Sequence, residues 1–358
     1  MKRLSEKQRT RNVRHANQAA KRRLRHKNKL WQRNRGLGSY EEVLLKVPED
    51  FDLSDNVNDS LDFFARLRRS ILVDRKRGKI DFRSCNSISA SAGFILAAEV
   101  DRCRRLRYRN GQSALTGTYP NDEGMVRFLD DLGFFRFLKI RSPTYRRDSP
   151  SQTRFIAMRS GCRDKGKEIH YVTEVLGTGS VRLDEEARET LYEGLLEAMN
   201  NVTSHAYPFA RRNDSLPVLR GQWWAAGYWD NQRKEVGVLI FDQGVGIPAT
   251  LPNSRHGALL TEIRRRLGLG NSDPECIRAA MEIGTSSSRN EHRGRGMASL
   301  RHAVGRVADG HLLILSGAGA YLHTADGREE TSALPTPLGG TFIEWRIRDE
   351  NVITWGDG

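Results

Sequence analysis

Residues 239–251 read LIFDQGVGIPATL. The largely apolar run Val236–Phe241 suits a strand buried on both faces, and it ends on Asp242. Gly244 and Gly246 then flank a single valine, and Pro248 closes the pattern. Two readings are open. One is an ordinary turn at a strand exit. The other is a ligand site, in which the carboxylate accepts a hydrogen bond from an exocyclic amine and the bare glycines let the backbone approach a ring or phosphate. A dinucleotide fingerprint would need a third glycine and a helix directly after, and neither this stretch nor SGAGAY at 316–321 supplies the glycine.

Three more motifs surround it. The segment TLYEGLLEAMNNVTSHAYP, residues 190–208, places Glu197, Asn201 and His205 four apart, a spacing that stacks side chains along one face of an α-helix. Leu191, Leu195, Leu196, Met199 and Val202 are left for the opposite side. A carboxylate and an amide oxygen suit magnesium or a held water, although a solvated polar face would look the same. From Gly284 runs GTSSSRNEHRGRGMASLRHAVGRV, whose Arg293 and Arg295 alternate with Gly294 and Gly296 just before a helical pattern. Guanidiniums and a helix start both serve phosphate oxygens. The fourth motif, GGTFIEW at 339–345, leads through Gly339 and Gly340 into a strand, and Thr341 stands where a hydroxyl could brace Asp242 across a sheet.

Taken in order, these four boxes resemble the ATP-binding domain of the GHKL superfamily, the Bergerat fold of gyrase, histidine kinases and mismatch-repair ATPases, over about residues 180–348. EAMNNVTSHAYP looks most like the anti-sigma-factor serine kinases. The resemblance implies an α+β fold with a C-terminal α/β sandwich, a mixed sheet carrying helices on one face. It implies that ATP is bound by Asn201, His205, Asp242, Gly244, Gly246, Arg293, Gly294, Arg295, Gly296 and Thr341, with Asp242 on the adenine amine. It also implies Mg²⁺ on Asn201, Glu197 as the catalytic group that polarises the attacking water or hydroxyl, and 284–296 as a lid. The expected function is a regulatory protein with ATPase or protein-serine kinase activity. A nucleotide-gated binding module with little or no turnover is the alternative. A longer insertion between Pro248 and Gly284 departs from a minimal serine kinase.

The remaining sequence sets the context. Residues 1–36 hold fourteen Lys or Arg against the single acid Glu6, so nearly all of the net +15 lies in this arm. Such a block is either a solvated tail or a contact for polyanions, nucleic acid before an anionic membrane surface. Residues 37–140 read as a smaller α/β domain, 141–154 as a Pro/Ser-rich linker, and 155–358 as the ATP-binding domain. Within 37–140, a strand, a serine-rich turn and a helix in that order resemble the STAS fold. That family's phosphorylated serine would fall at Ser87, Ser89 or Ser91, where helix capping also explains a hydroxyl. No apolar run reaches the length of a membrane span, no apolar stretch follows the first basic residues, and four cysteines stand far apart. A cytoplasmic protein with a protein partner is expected.

Overall fold

A computed structural model describes residues 41–107, 113–138, 140–142, 153–162, 181–207, 217–253, 257–283 and 299–355. The basic arm 1–36, most of the 141–154 linker and the Arg293–Gly296 box lie outside the described residues. Glu42–Gly358 form one contact unit.

The N-terminal segment runs β1 (Glu42–Lys46), β2 (Asp50–Phe51), α1 (Val57–Arg68), a π-helical turn at Arg69–Val73, β3 (Arg77–Asp81), β4 (Ser87–Ile88), α2 (Ala90–Arg107), β5 (Leu115–Gly117), α3 (Glu123–Leu132) and α4 (Phe134–Leu138). Its strands pair in parallel, in the order β1-β3-β5, with β2 on β4. Asp122 accepts the Met125 amide at 2.7 Å to start α3, and Gly133, at φ 90°, ends it in a left-handed cap.

The C-terminal segment runs β6 (Thr153–Cys162), β7 (Val181–Leu183), α5 (Glu185–Asn201), a π-helical turn at Val202–Ala206, β8 (Gln222–Asp230), β9 (Glu235–Asp242), α6 (Ile247–Thr250), α7 (Gly257–Leu267), α8 (Asp273–Met281), α9 (Ser299–His302), β10 (Gly310–Ser316), β11 (Gly319–Thr324), β12 (Glu329–Ala333), β13 (Thr341–Ile347) and β14 (Ile353–Trp355). Seven strands form one sheet in the order β12-β11-β10-β13-β9-β8-β6, each neighbouring pair antiparallel. The molecule is thus α+β, with parallel pairing in the two N-terminal sheets and antiparallel pairing in the large sheet and in the β7–β14 pair.

Every residue of β9 is buried, as are all but one of β8, because the large sheet is covered on both sides. Trp223, Ala225, Val238, Ile240, Ile343 and Trp345 share a core with Leu191, Leu195 and Met199 of α5 and with α8 and α9. Trp224, Ala226, Tyr228, Leu239, Phe241 and Phe342 point the other way, into a second core built with Phe94 and Leu96 of α2 and Phe128 of α3. Each fully buried Val, Leu, Ile, Phe or Met side chain among them contributes about 1.5–3 kcal/mol. The expectation of helices on one face therefore holds for α5, α8 and α9 only; the reverse face belongs to the N-terminal segment.

That packing sorts the three serines. Ser91 is buried and donates to Glu344 Oε2 of β13 at 3.3 Å. Ser89 Oγ accepts the Ala92 amide at 3.3 Å, as a helix cap does. Ser87 is exposed and donates to Asp50 Oδ1 at 2.9 Å. Ser91 has no access to an outside partner.

Candidate functional site

Asp184 opens α5 by accepting the Ala187 amide at 2.7 Å. Leu191, Leu195, Ala198 and Met199 then bury one face on the sheet, and Gly194 lets the helix settle on the Trp345 ring, 3.1 Å from where a Cβ would stand. Glu197 and Asn201 are half-buried on another face, and the Asn201 amide donates to the Glu197 carboxylate. Burial pushes the Glu197 carboxyl up from its ordinary range, and the Asn201 bond partly offsets this.

The third member of the row, His205, lies one turn on. After Asn201 the helix widens into the π turn Val202–Ala206, where four residues no longer complete a revolution, and His205 is exposed. The wider turn serves another contact. It delivers the Ala206 carbonyl to the Val245 amide at 2.9 Å. Gly244 makes this approach possible, since a Cβ there would overlap the Ala206 carbonyl. Tyr207, the next residue, donates its hydroxyl to Gln222 O at 2.7 Å and accepts the Gln243 amide at 3.0 Å. The end of α5 is thereby fastened to the start of β8 and the exit of β9.

Asp242 is 4% exposed at the end of β9. Its Oδ1 accepts the Gly244 amide at 2.7 Å, and the backbone and hydroxyl of Thr341 also bond to the carboxylate. Thr341 is its register partner on β13, so the brace expected from the sequence is present. Burial outweighs these bonds and lifts the Asp242 carboxyl to about 7.

The register extends the row across the sheet. Trp223 of β8, Asp242 of β9, Thr341 of β13 and Ser316 of β10 are successive partners and share one face. Ser316 Oγ lies 3.0 Å from Thr341 Oγ1 and accepts the Ile247 amide at 2.9 Å. Gly246, at φ 86°, turns the chain into α6 there. The fully buried Trp223 indole N–H has no hydrogen-bond partner among the described residues.

The site thus unites Glu197, Asn201, Asp242, Gly244, Gly246 and Thr341, with His205 exposed on the π turn that joins them; Arg293, Gly294, Arg295 and Gly296 fall beyond the description. Ser316, Tyr207 and Trp223 join it without having been singled out. Ser316 begins the SGAGAY stretch, which forms the β10–β11 hairpin turn and not a phosphate loop. Its signal was a hydroxyl at the end of an apolar strand. No family model matches the chain, and no curated protein sequence matches it.

Proposed function

We propose that the face of the large sheet under α5 is an adenine-nucleotide site, where ATP is cleaved and the γ-phosphoryl passes to water or to a protein hydroxyl. The observation that carries this reading is Asp242: a carboxylate almost out of water, held by neutral donors, with the register partner Trp223 presenting an indole N–H that has no partner among the described residues. A buried acceptor next to a buried donor is costly unless a ligand edge completes both. An adenine ring offers an exocyclic amine to Asp242 and a ring nitrogen to an N–H. The carboxylate keeps acceptor capacity beyond its bonds to Gly244 and Thr341, and the apolar side chains packed around it and the indole can fill neither need.

The Glu197–Asn201 pair supports turnover over mere binding. A carboxyl raised by burial is a better proton acceptor at neutral pH than an ordinary glutamate, and its amide partner fixes its direction. Asn201 is also the residue here that would hold Mg²⁺. Among the described residues no group of three or more His, Cys, Asp or Glu could hold a metal, so an ion there would take most ligands from phosphates and water. When bound, Mg²⁺ neutralises charge on the phosphate oxygens.

The test is incubation with γ-labelled ATP, magnesium and cell lysate. Label is expected in free phosphate or in a protein, and Glu197→Ala is expected to cut either by about 10²–10⁴-fold while leaving ATP bound. Absence of ATP binding to the unaltered chain would refute the site, and binding without turnover would leave a nucleotide-gated module. We further infer from its charge that the 1–36 arm contacts nucleic acid; its removal should abolish salt-sensitive DNA or RNA binding and leave ATP binding alone.

No helix among the described residues is long and apolar enough to cross a membrane.

A further inference from the structure

Glu99 of α2 is fully buried between two arginines, Arg68 at the end of α1 and Arg102 one turn further along α2. Arg68 Nη1 lies 3.5 Å and Arg102 Nη1 3.4 Å from Glu99 Oε1, and the guanidiniums are 3% and 1% exposed. Burying three charges costs more than packing three apolar side chains of like volume. Stability does not explain the triad, but its remaining donors suggest what does.

Arg68 spends them on the loop that feeds β13. Nη1 donates to Leu338 O at 2.5 Å and Nη2 to Pro337 O at 3.2 Å. Its Cζ packs 3.2 Å from the place a Cβ would occupy on Gly339, a residue at φ 78°. Thr341 follows two residues later. Arg102 spends its donors on Pro217 O, from Nε at 3.0 Å and Nη2 at 2.7 Å, in the segment leading to β8. β13 and β8 are the two neighbours of β9, and at the Asp242 end they present Thr341 and Trp223 to it. From the same helix, Ala98 O accepts Gln243 Nε2 at 3.5 Å, directly after Asp242.

We propose that the buried Arg68–Glu99–Arg102 triad of the N-terminal segment positions the nucleotide site, by holding from the reverse face the two strands that flank Asp242. The inference rests on the nucleotide reading above. Arg68 and Arg102 act as positioning residues: they reach backbone carbonyls, and their effect on ligand passes through Thr341 and Trp223. The two-pronged guanidinium matters because it reaches the carbonyls of residues 337 and 338 from two nitrogens in one rigid plane, with Nη1 also at Glu99, a geometry that the single nitrogen of an ammonium does not reproduce. Through this link the N-terminal segment becomes part of the site and sets its geometry.

The readout that separates positioning from bulk stability is the titration of Asp242. Thr341 holds that carboxyl down against burial, so loosening Thr341 raises it further. The titratable neighbour acting on this pair is Tyr207, whose hydroxyl burial pushes far above its ordinary value and which stays neutral; Gly244 and Thr341 contribute neutral donors.

The experiment measures ADP affinity of the full chain against pH, together with urea midpoints, for the unaltered protein, Arg68→Lys, Arg68→Met and Phe63→Leu. Phe63 is a fully buried ring of α1 on Phe51 and Phe64, outside the triad, and its truncation provides a loss of stability for comparison. Arg68→Lys is expected to weaken ADP about five-fold or more and to move the pH midpoint of binding upward, with Arg68→Met going further and Phe63→Leu doing neither. If Arg68→Met does not fold, Arg68→Lys decides. Unchanged affinity and midpoint in Arg68→Lys, or the same changes in Phe63→Leu, would overturn the positioning role while the nucleotide site stands. Failure of the unaltered chain to bind ADP would remove both.

Discussion

The carbonyl of Ala206 accepts the amide hydrogen of Val245 at 2.9 Å, joining the end of α5 to the loop after β9. This bond ties the helix that carries Glu197 and Asn201 to the strand exit that carries Asp242. It acts together with the bond from the Gln243 amide to the Tyr207 hydroxyl. It exists because the last turn of α5 is π-helical and because residue 244 has no side chain.

Gly244→Ala should therefore separate the two halves. The added methyl overlaps the Ala206 carbonyl, so either the helix end or the loop must shift. A stability loss of about 1–3 kcal/mol is expected, together with a fall in ATP affinity larger than that loss alone would give. Urea unfolding and calorimetric titration of one preparation measure both.

Asp242 gives a pH dependence whose sign is fixed. Its carboxyl titrates at about 7 when folded, against 3.8 for an ordinary aspartate. Between those values the unfolded chain releases a proton that the folded chain keeps, so stability falls as pH rises from about 4 to 7 and is level above. Asp242→Asn removes this slope. The variant should be more stable than the unaltered protein at pH 8, by an amount on the order of a few kcal/mol, and bind ADP more weakly. In the unaltered protein ADP affinity should rise with pH toward 7, because an amine donor favours the ionised carboxylate. Denaturation and binding curves from pH 5 to 9 would contradict this if flat.

Asn201→Ala removes the hydrogen bond that restrains the Glu197 carboxyl. The acid limb of a turnover–pH profile should then move to higher pH, and magnesium should be required at higher concentration. Glu197→Gln should abolish that limb. A limb that stays in place in both variants would assign the proton acceptor elsewhere.

Trp223 and Trp224 make a controlled pair. Both are fully buried in β8, one on each face of the sheet. The Trp224 indole donates to Asp101 Oδ2 at 3.2 Å, whereas the Trp223 indole has no partner among the described residues. Replacement by phenylalanine removes similar volume from each. Trp224→Phe should cost about 1–3 kcal/mol more than Trp223→Phe in unliganded protein, since it withdraws a donor from a buried carboxylate. Saturating ADP should narrow the difference if the Trp223 N–H meets the ligand, which thermal melts with and without ADP would reveal.

Much of the site was legible because its signals are local. The four-residue spacing of Glu197 and Asn201, the acid closing an apolar strand and the glycines after it require only the period of a helix and the alternation of a strand. The order of boxes then pointed to Thr341 across from Asp242, and the register places it there. The π turn that carries His205 had no such signal, because the spacing assumes a regular α-helix and the turn goes with a contact 39 residues away, from Ala206 to Val245.

Other features had no local signal at all. Ser316 and Tyr207 are ordinary residues until β10 lies beside β13 and the end of α5 lies over β8. Arg68 stands in the basic last turn of α1, yet its partners are Leu338 and Pro337, some 270 positions on. The sequence by itself determined the elements and the chemistry they carry, because propensity, capping and hydrophobic period act over a few residues. Only the tertiary structure decided that the reverse face of the sheet belongs to the N-terminal segment, and that buried arginines there hold the strands around Asp242. Which distant backbone carbonyl a buried guanidinium reaches is settled by packing, and packing is a property of the whole chain.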